Sequence, residues 1–321
     1  MTNELSPIWH QGELAVQQRA GTDKLMSEIG GKFIREFMPQ QHRDFFEALS
    51  MIFIGYVDDF SDITASVFFG EQGFIESPTE TELIINTQVG LNNFMKDGFV
   101  LGDRIGLLGI EFNSKRRNRL NGVITDINQK SIKIKVLQSF GNCPKYIQDK
   151  TLATNPHYGN FSTSSDLKLN DNDLNVINNA DTFFIASGFN DGQQLNNRGA
   201  DISHRGGEVG FVTINSTGQL MIEDYRGNGF FNTLGNLVKN PTANLLFFDW
   251  KKGHALQITV SSKIHWSDDD SIGDKHNIQY ESLSKEGAVS VEKSTSINRK
   301  LYFTVIKVNR LTNALAYFQR E

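Results

Sequence analysis

The stretch "EVGFVTINSTGQLMIEDYRG", residues 208–227, has an earlier copy in the same chain. "EQGFIESPTETELIINTQVG", residues 71–90, aligns with it without a gap. Glu71, Gly73, Phe74, Leu83, Ile85 and Gly90 meet Glu208, Gly210, Phe211, Leu220, Ile222 and Gly227, each 137 positions further on. Downstream, "RIGLLGIEF" (104–112) falls on "TANLLFFDW" (242–250), and "RLNGVITDI" (119–127) falls roughly on "HALQITVSSKI" (254–264). Upstream, "HRDFFEALSMIFIGYV" (42–57) resembles "NDLNVINNADTFFIAS" (172–187), each a short amphipathic helix feeding an apolar strand. Matches that keep one order along the chain are the mark of an internal duplication.

Within each copy the elements are short β-type runs. "MIFIGYV", "ITASVFF", "GFI", "ELIINT", "RIGLLGIEF", "LNGVITDI" and "SIKIKVLQSF" make up the first. "TFFIAS", "ADISHR", "GEVGFVTI", "QLMIED", "NLLFFDW", "ALQITVSSKIHW" and "RKLYFTVIKVNRL" make up the second. Turn signals such as "NSTG" and "KKG" separate them, and no βαβ alternation is present. The expected fold class is mainly β with flanking helices (α+β): two tandem antiparallel split β-barrels related by internal duplication. Residues 1–40 read as an N-terminal helical segment, 41–150 as a first, diverged repeat, 151–171 as an Asn/Ser/Thr-rich linker and 172–321 as the second repeat. Residues 267–298 read as a charged, Ser-rich insertion, partly helical or mobile.

Composition excludes several function classes. A net charge of −5 argues against broad electrostatic binding to nucleic acid. The single cysteine, Cys143, rules out an internal disulfide framework and a cysteine-based metal cluster, and no metal site is expected. The N-terminus has no basic region followed by an apolar run, and no apolar stretch reaches membrane-spanning length. The expectation is a soluble cytoplasmic protein with no membrane partner.

Two stretches carry ligand-like chemistry. In "EDYRGNGFFNTLGNLVKNP" (223–241), Gly227 and Gly229 permit a sharp turn or close approach to a ligand. Asn232 or Thr233 is an N-cap candidate for a helix running through Lys239, which Pro241 ends. A helix N-terminus beside amide side chains suits a phosphate, although the same residues also describe an ordinary strand exit and capped helix. In "GADISHRGGEVGFV" (199–212), strand alternation puts Ile202 and His204 on one face and Ser203 and Arg205 on the other. Arg205 reads either as a ligand contact or as half of a surface ion pair.

These motifs together resemble the pyridoxamine 5′-phosphate oxidase-like flavin-binding family, above all its long, duplicated bacterial members, which carry segments like "GNCPKYI" (141–147) and "WHQGELAVQQRAG" (9–21). The resemblance implies FMN held noncovalently between two split barrels. By it, the cofactor-binding candidates are Ser203, His204, Arg205, Tyr225, Arg226, Asn228, Asn232, Thr233, Asn236 and Gln257. The oxidase's Arg-Lys pair after the tyrosine is replaced here by "RGNGFFNTLGN", which makes true pyridoxamine phosphate oxidation an unexpected activity.

The first repeat's counterpart, "TQVGLNNFMKDGF" (87–99), has no arginine. Its next hairpin, "SKRRNRLNG" (114–122), reads as a solvated turn, or as a source of cross-repeat contacts to the flavin phosphate from Lys115, Arg116, Arg117 or Arg119. Asn121 takes the place of Gln257, where the family often puts an amide against the ring. Cys143 is expected to pack structurally, and Lys145 and Tyr146 to face the substrate side. Trp9 and His10 either cover a pocket or pack the N-terminal segment.

The expected function is an FMN-dependent oxidoreductase moving electrons or hydride between a reduced nicotinamide donor and a small acceptor, with no catalytic residue named. A non-catalytic flavin-binding or electron-relay protein is the rival, and a haem-binding split barrel with His204 or His254 as axial ligand is the third reading. The resemblance leaves room for a homodimer beyond the intrachain pseudo-dimer.

Overall fold

A computed structural model describes residues 7–57, 63–86, 98–267 and 299–319. Most of "TQVGLNNFMKDGF" and, apart from Ser267, the Ser-rich insertion therefore lie outside the described residues.

Three helices come first: α1 (Gln11–Arg19), α2 (Asp23–Phe33) and α3 (Gln40–Glu47). The first repeat then lays down β1 (Met51–Val57), β2 (Ile63–Phe69), β3 (Ile75–Thr79), β4 (Glu82–Asn86), β5 (Arg104–Glu111), β6 (Arg116–Ile127) and β7 (Ser131–Gly141). The stretch read as a linker carries two strands, β8 (Leu152–Thr154) and β9 (Ser162–Asp166). Helix α4 (Asp171–Asn178), capped by Asn170, opens the second repeat. There follow β10 (Thr182–Phe189), β11 (Gly199–Gly206), β12 (Thr213–Ile214), β13 (Leu220–Glu223), α5 (Asn232–Lys239), β14 (Thr242–Asp249), β15 (His254–Trp266), β16 (Arg299–Thr312) and β17 (Tyr317–Gln319).

The duplication is written in the sheet order. The first sheet runs β2-β1-β5-β6-β7-β4-β3 and the second β11-β10-β14-β15-β16-β13-β12, the same order strand for strand. Every pairing in both is antiparallel. The molecule is mainly β, two tandem split barrels flanked by helices. β9 adds to β16, and β8 pairs with β17, so the inter-repeat stretch and the C-terminus are both tied into sheets.

Small features repeat as well. Gly73 and Gly210 both turn at positive φ, +91° and +86°. Each lies in a turn closed by a similar backbone bond: Phe74 N–H donates to Glu71, and Phe211 N–H donates to Glu208. Only glycine takes that conformation without strain, which is why it stands at both positions. Leu83, Ile85, Leu220 and Ile222 are buried in the same alternation.

Each sheet has its own core. Phe45, Phe46, Leu83 and Ile134 pack in the first, and Phe183, Phe247, Leu220 and Phe303 in the second. A third cluster lies between the repeats, where Phe53, Ala65 and Leu108 meet Phe184, Ile202 and Leu246. The seam between the repeats is thus closed by apolar packing. Among the described residues, no helix is long and apolar enough to cross a membrane.

Candidate ligand-binding cleft

A cleft enclosing about 950 Å³, its open mouth included, lies on this seam. Strand β11 supplies Ser203, His204 and Arg205 from the second repeat, and β6 supplies Arg117 and Arg119 from the first. The segment after β7 adds Asn142, Cys143, Lys145 and Tyr146, while the stretch between β13 and α5 adds Asp224, Tyr225 and Asn228. Apolar walls come from Leu108, Phe211, Ile222, Phe231 and Leu234.

Helix α5 begins differently from expectation. Its N-cap is Phe231, not Asn232 or Thr233. Phe231 is held at φ 59°, ψ 29°, and no side chain caps the helix. Asn232 and Thr233 look elsewhere: Asn232 Nδ2 donates to Glu13 at 2.5 Å, and the Thr233 hydroxyl donates to Ser203 Oγ at 2.9 Å. The helix ends at Lys239 before Pro241, as the sequence predicts. With no cap, the first-turn N–H groups and the positive end of the helix dipole are left at the cleft wall.

The N-terminal segment holds this helix in place. Gly12 and Gly235 let α1 and α5 approach so closely that a Cβ on Gly12 would stand 2.1 Å from the Gly235 carbonyl oxygen. His10 Nε2 meets Asn236 Oδ1 at 3.0 Å, and Trp9 packs on Phe230 with centroids 5.3 Å apart. Trp9 and His10 therefore pack the segment, the second of their two sequence readings. Burial pushes the His10 imidazole down to about 4 and lifts the Glu13 carboxyl to about 7.

Three guanidinium groups line the cleft. Arg119 is ion-paired with Asp201 and donates to Asn232 Oδ1 at 3.4 Å. Arg205 pairs with Asp224 at 3.1 Å, a carboxylate that also binds Arg299 at 2.9 Å. Arg117 forms no ion pair among the described residues; its Nη1 lies 2.9 Å from His204 Nδ1. Burial first, and the neighbouring arginines after it, lower Arg117 to about 10 and Arg119 to about 9. Burial and the charges of Arg117 and Arg205 also keep His204 neutral, well below the usual imidazole range. Because guanidinium can only donate, His204 Nδ1 is the acceptor and its proton sits on Nε2.

The unmet donors are concentrated here. Arg117 Nε, Arg119 Nε, Arg205 Nε, Asn142 Nδ2 and His204 Nε2 are buried without an acceptor, and all five belong to residues that line the cleft. A buried donor left unpaired costs about 1–3 kcal/mol, more when charged. Crowded guanidiniums, open helix N–H groups and orphaned donors together describe a place complementary to an acceptor-rich anion.

Of the sequence-predicted residues, the cleft brings together Ser203, His204, Arg205, Tyr225, Asn228, Asn232, Thr233 and Arg117. Others stand apart. Asn236, one turn beyond Asn232, does not line the cleft; its Nδ2 donates to Ser187 Oγ at 3.1 Å. Gln257 Nε2 donates to the Ala65 carbonyl at 2.6 Å and so ties the repeats together. Arg116 is exposed near Glu111, and Asn121 Nδ2 donates to Gln138. Arg226 offers its carbonyl to the Tyr146 hydroxyl at 3.3 Å, and His254 accepts from the Asn313 N–H at 3.3 Å. The equivalence of Asn121 and Gln257 is corrected by the ladders: Leu108 faces Arg119, whereas Leu246 faces Gln257, so Arg119 is the counterpart. A two-residue slip in a loosely matched strand caused the misplacement. Asp224 and Asn142 were missed, since neither stands out in sequence; Cys143, read as structural, also faces the cleft.

No family profile and no curated protein matches this chain. Two solved structures are similar to it. One is a HupZ variant from Group A Streptococcus, 11% identical, covering 32% of this chain and 98% of that one with a TM-score of 0.24. The other is the inhibitor of motility MotI/DgrA of Bacillus subtilis, 6% identical, covering 80% of this chain and 87% of that one with a TM-score of 0.21.

Proposed function

We propose that the cleft binds FMN and that the chain is an FMN-dependent oxidoreductase of the pyridoxamine 5′-phosphate oxidase-like family, passing electrons or hydride between a reduced nicotinamide donor and a small acceptor. The observation that carries this reading is the set of five buried, unpartnered nitrogen donors beside an uncapped helix N-terminus. A phosphate offers acceptors to those on Arg117, Arg205 and His204 and compensates the guanidinium charge. The apolar walls, including Leu108, Phe211 and Phe231, suit a planar ring next to it.

When bound, the flavin supplies the redox chemistry, and the residues of the chain hold and orient it. Arg117, Arg205 and the first turn of α5 take the phosphate. His204, neutral and protonated on Nε2, offers one further donor. Arg119 stays with Asp201 and Asn232, and so steadies both β11 and the start of α5.

The test compares FMN with riboflavin, which lacks the phosphate. Arg117→Ala should weaken FMN by about 10- to 100-fold, the value of a charge-assisted hydrogen bond. Arg205→Ala should cost less, about 3- to 10-fold, because Asp224 already offsets part of its charge. Riboflavin should bind weakly and ignore both changes. Equal losses for the two flavins would remove the phosphate assignment, and a wild type that binds neither flavin would end the reading. FMN binding without bleaching by NADH or NADPH would mark a non-catalytic flavin carrier.

A further inference from the structure

The mouth of the cleft carries an aromatic pair that no core uses. Tyr146 and Tyr225 stack with ring centroids 5.2 Å apart and planes 27° apart. Each nevertheless leaves 38% of its surface exposed. They belong to different repeats, Tyr146 following β7 and Tyr225 following β13. Their platform therefore exists only when the seam is closed.

Tyr146 is also held at φ +67°. A bulky side chain in the left-handed region is strained, and such strain persists where neighbours over-determine it, often at ligand clamps. The neighbours here are the Arg226 carbonyl, which accepts from its hydroxyl, and Gly206, where an added Cβ would stand 2.1 Å from the Tyr146 carbonyl oxygen. Only four non-glycine residues take positive φ among the described residues, and two of them, Tyr146 and Phe231, line this cleft.

Charge is placed beside the pair. Lys145 is exposed on the cleft wall, and the Arg226 charge acts on the Tyr146 hydroxyl. The unpartnered donors lie on the arginines, His204 and Asn142, so the tyrosine stack is left for a different molecule.

We propose that Tyr146 and Tyr225 dock the second reactant of this cleft, a planar aromatic ring bearing anionic groups, of the nicotinamide dinucleotide class, with Lys145 and Arg226 facing its phosphates. Its identity as the flavin's electron donor rests on the FMN reading above; the platform itself rests on the tyrosine geometry. Stacking holds the ring at the mouth, and the apolar walls behind it lead inward.

The experiment is calorimetric titration of NAD+ and NADP+, neither of which can reduce a flavin, into the FMN-saturated protein. Tyr146→Ala and Tyr225→Ala should each weaken the dinucleotide by about 10-fold, the order of an aromatic stacking contact. Tyr146→Phe and Tyr225→Phe should stay within about 2-fold of wild type, since the ring face is kept. FMN affinity, measured separately on every variant, should be unchanged, because Tyr225 leaves the flavin contacts that the resemblance implied and serves the second reactant instead. Failure of both dinucleotides to bind the FMN-loaded wild type would overturn the proposal, as would Ala variants that bind like wild type. A parallel loss of FMN and dinucleotide would also overturn it, by placing the pair in the flavin subsite. If wild type binds no FMN, the flavin reading alone falls. The same titration without FMN then decides the platform: tyrosine-dependent binding upholds it, and no binding overturns it.

Discussion

Phe53 and Phe184 stack on each other with ring centroids 3.6 Å apart and planes 18° apart. Phe53 faces Leu108 in the first sheet, and Phe184 faces Leu246 in the second, so each is the other's copy. Equivalent residues of the two repeats thus meet face to face. Their contact belongs to the apolar seam on which the cleft is built.

Both rings are almost wholly buried, at 0% and 1% exposure. Phe53→Ala or Phe184→Ala should each destabilise the fold by about 3–5 kcal/mol through lost transfer energy and a cavity. Because they touch, the double variant should lose less than the sum. Urea unfolding of the three variants measures both quantities, and single losses under about 1 kcal/mol would show that the seam is not held here.

One FMN per chain is expected, because the pseudo-equivalent site lacks the cations. Val67 stands where the second repeat has His204, and Phe68 where it has Arg205. Across the seam, Ala255 answers Arg117 and Gln257 answers Arg119. An anion there meets an amide and apolar groups instead of three guanidiniums. Titration of the protein with FMN should saturate at about one equivalent; two equal sites would refute the asymmetry.

Glu13 should give stability a pH dependence of unusual sign. Its folded carboxyl titrates at about 7 against the usual 4.5, because burial disfavours the charge. The native state therefore holds the proton longer than the unfolded chain, and this contribution falls as pH rises from about 4.5 to 7. His10 and His42, lowered to about 4 by burial, act oppositely: their contributions are present above 6.5 and fade as pH drops towards 4. Glu13→Gln isolates the first effect. It should gain stability relative to wild type as pH moves from 5 to 8, a difference readable as Tm; a constant difference across that range would mean Glu13 does not titrate there.

The duplication, the strands and their turn glycines were legible in the sequence, because alternation and positive-φ positions are local requirements. "SIKIKV" alternates since one face of the first half of β7 is buried, and Gly73 and Gly210 recur because the same turn recurs. The β11 residues and the loop before α5 were legible for a similar reason: an arginine, a histidine and glycines at strand ends have few uses in a core. Sequence also flagged "SKRRNRLNG", but only as a basic hairpin with two readings.

What alternation does not determine is which sheets meet and in what register. The ladders made Arg119, not Asn121, the counterpart of Gln257. The seam put Arg117 against His204, 87 residues away in sequence. Left-handed Phe231 opened the start of α5, and the approach of Gly12 to Gly235 set that helix against α1. Arg205 was given a carboxylate partner by the fold of β13 and β16 around Asp224. These are outcomes of long-range packing, decided by how two apolar faces fit together. Local residue chemistry determined the strands and named most of the candidates; tertiary contact decided which of them share one cleft.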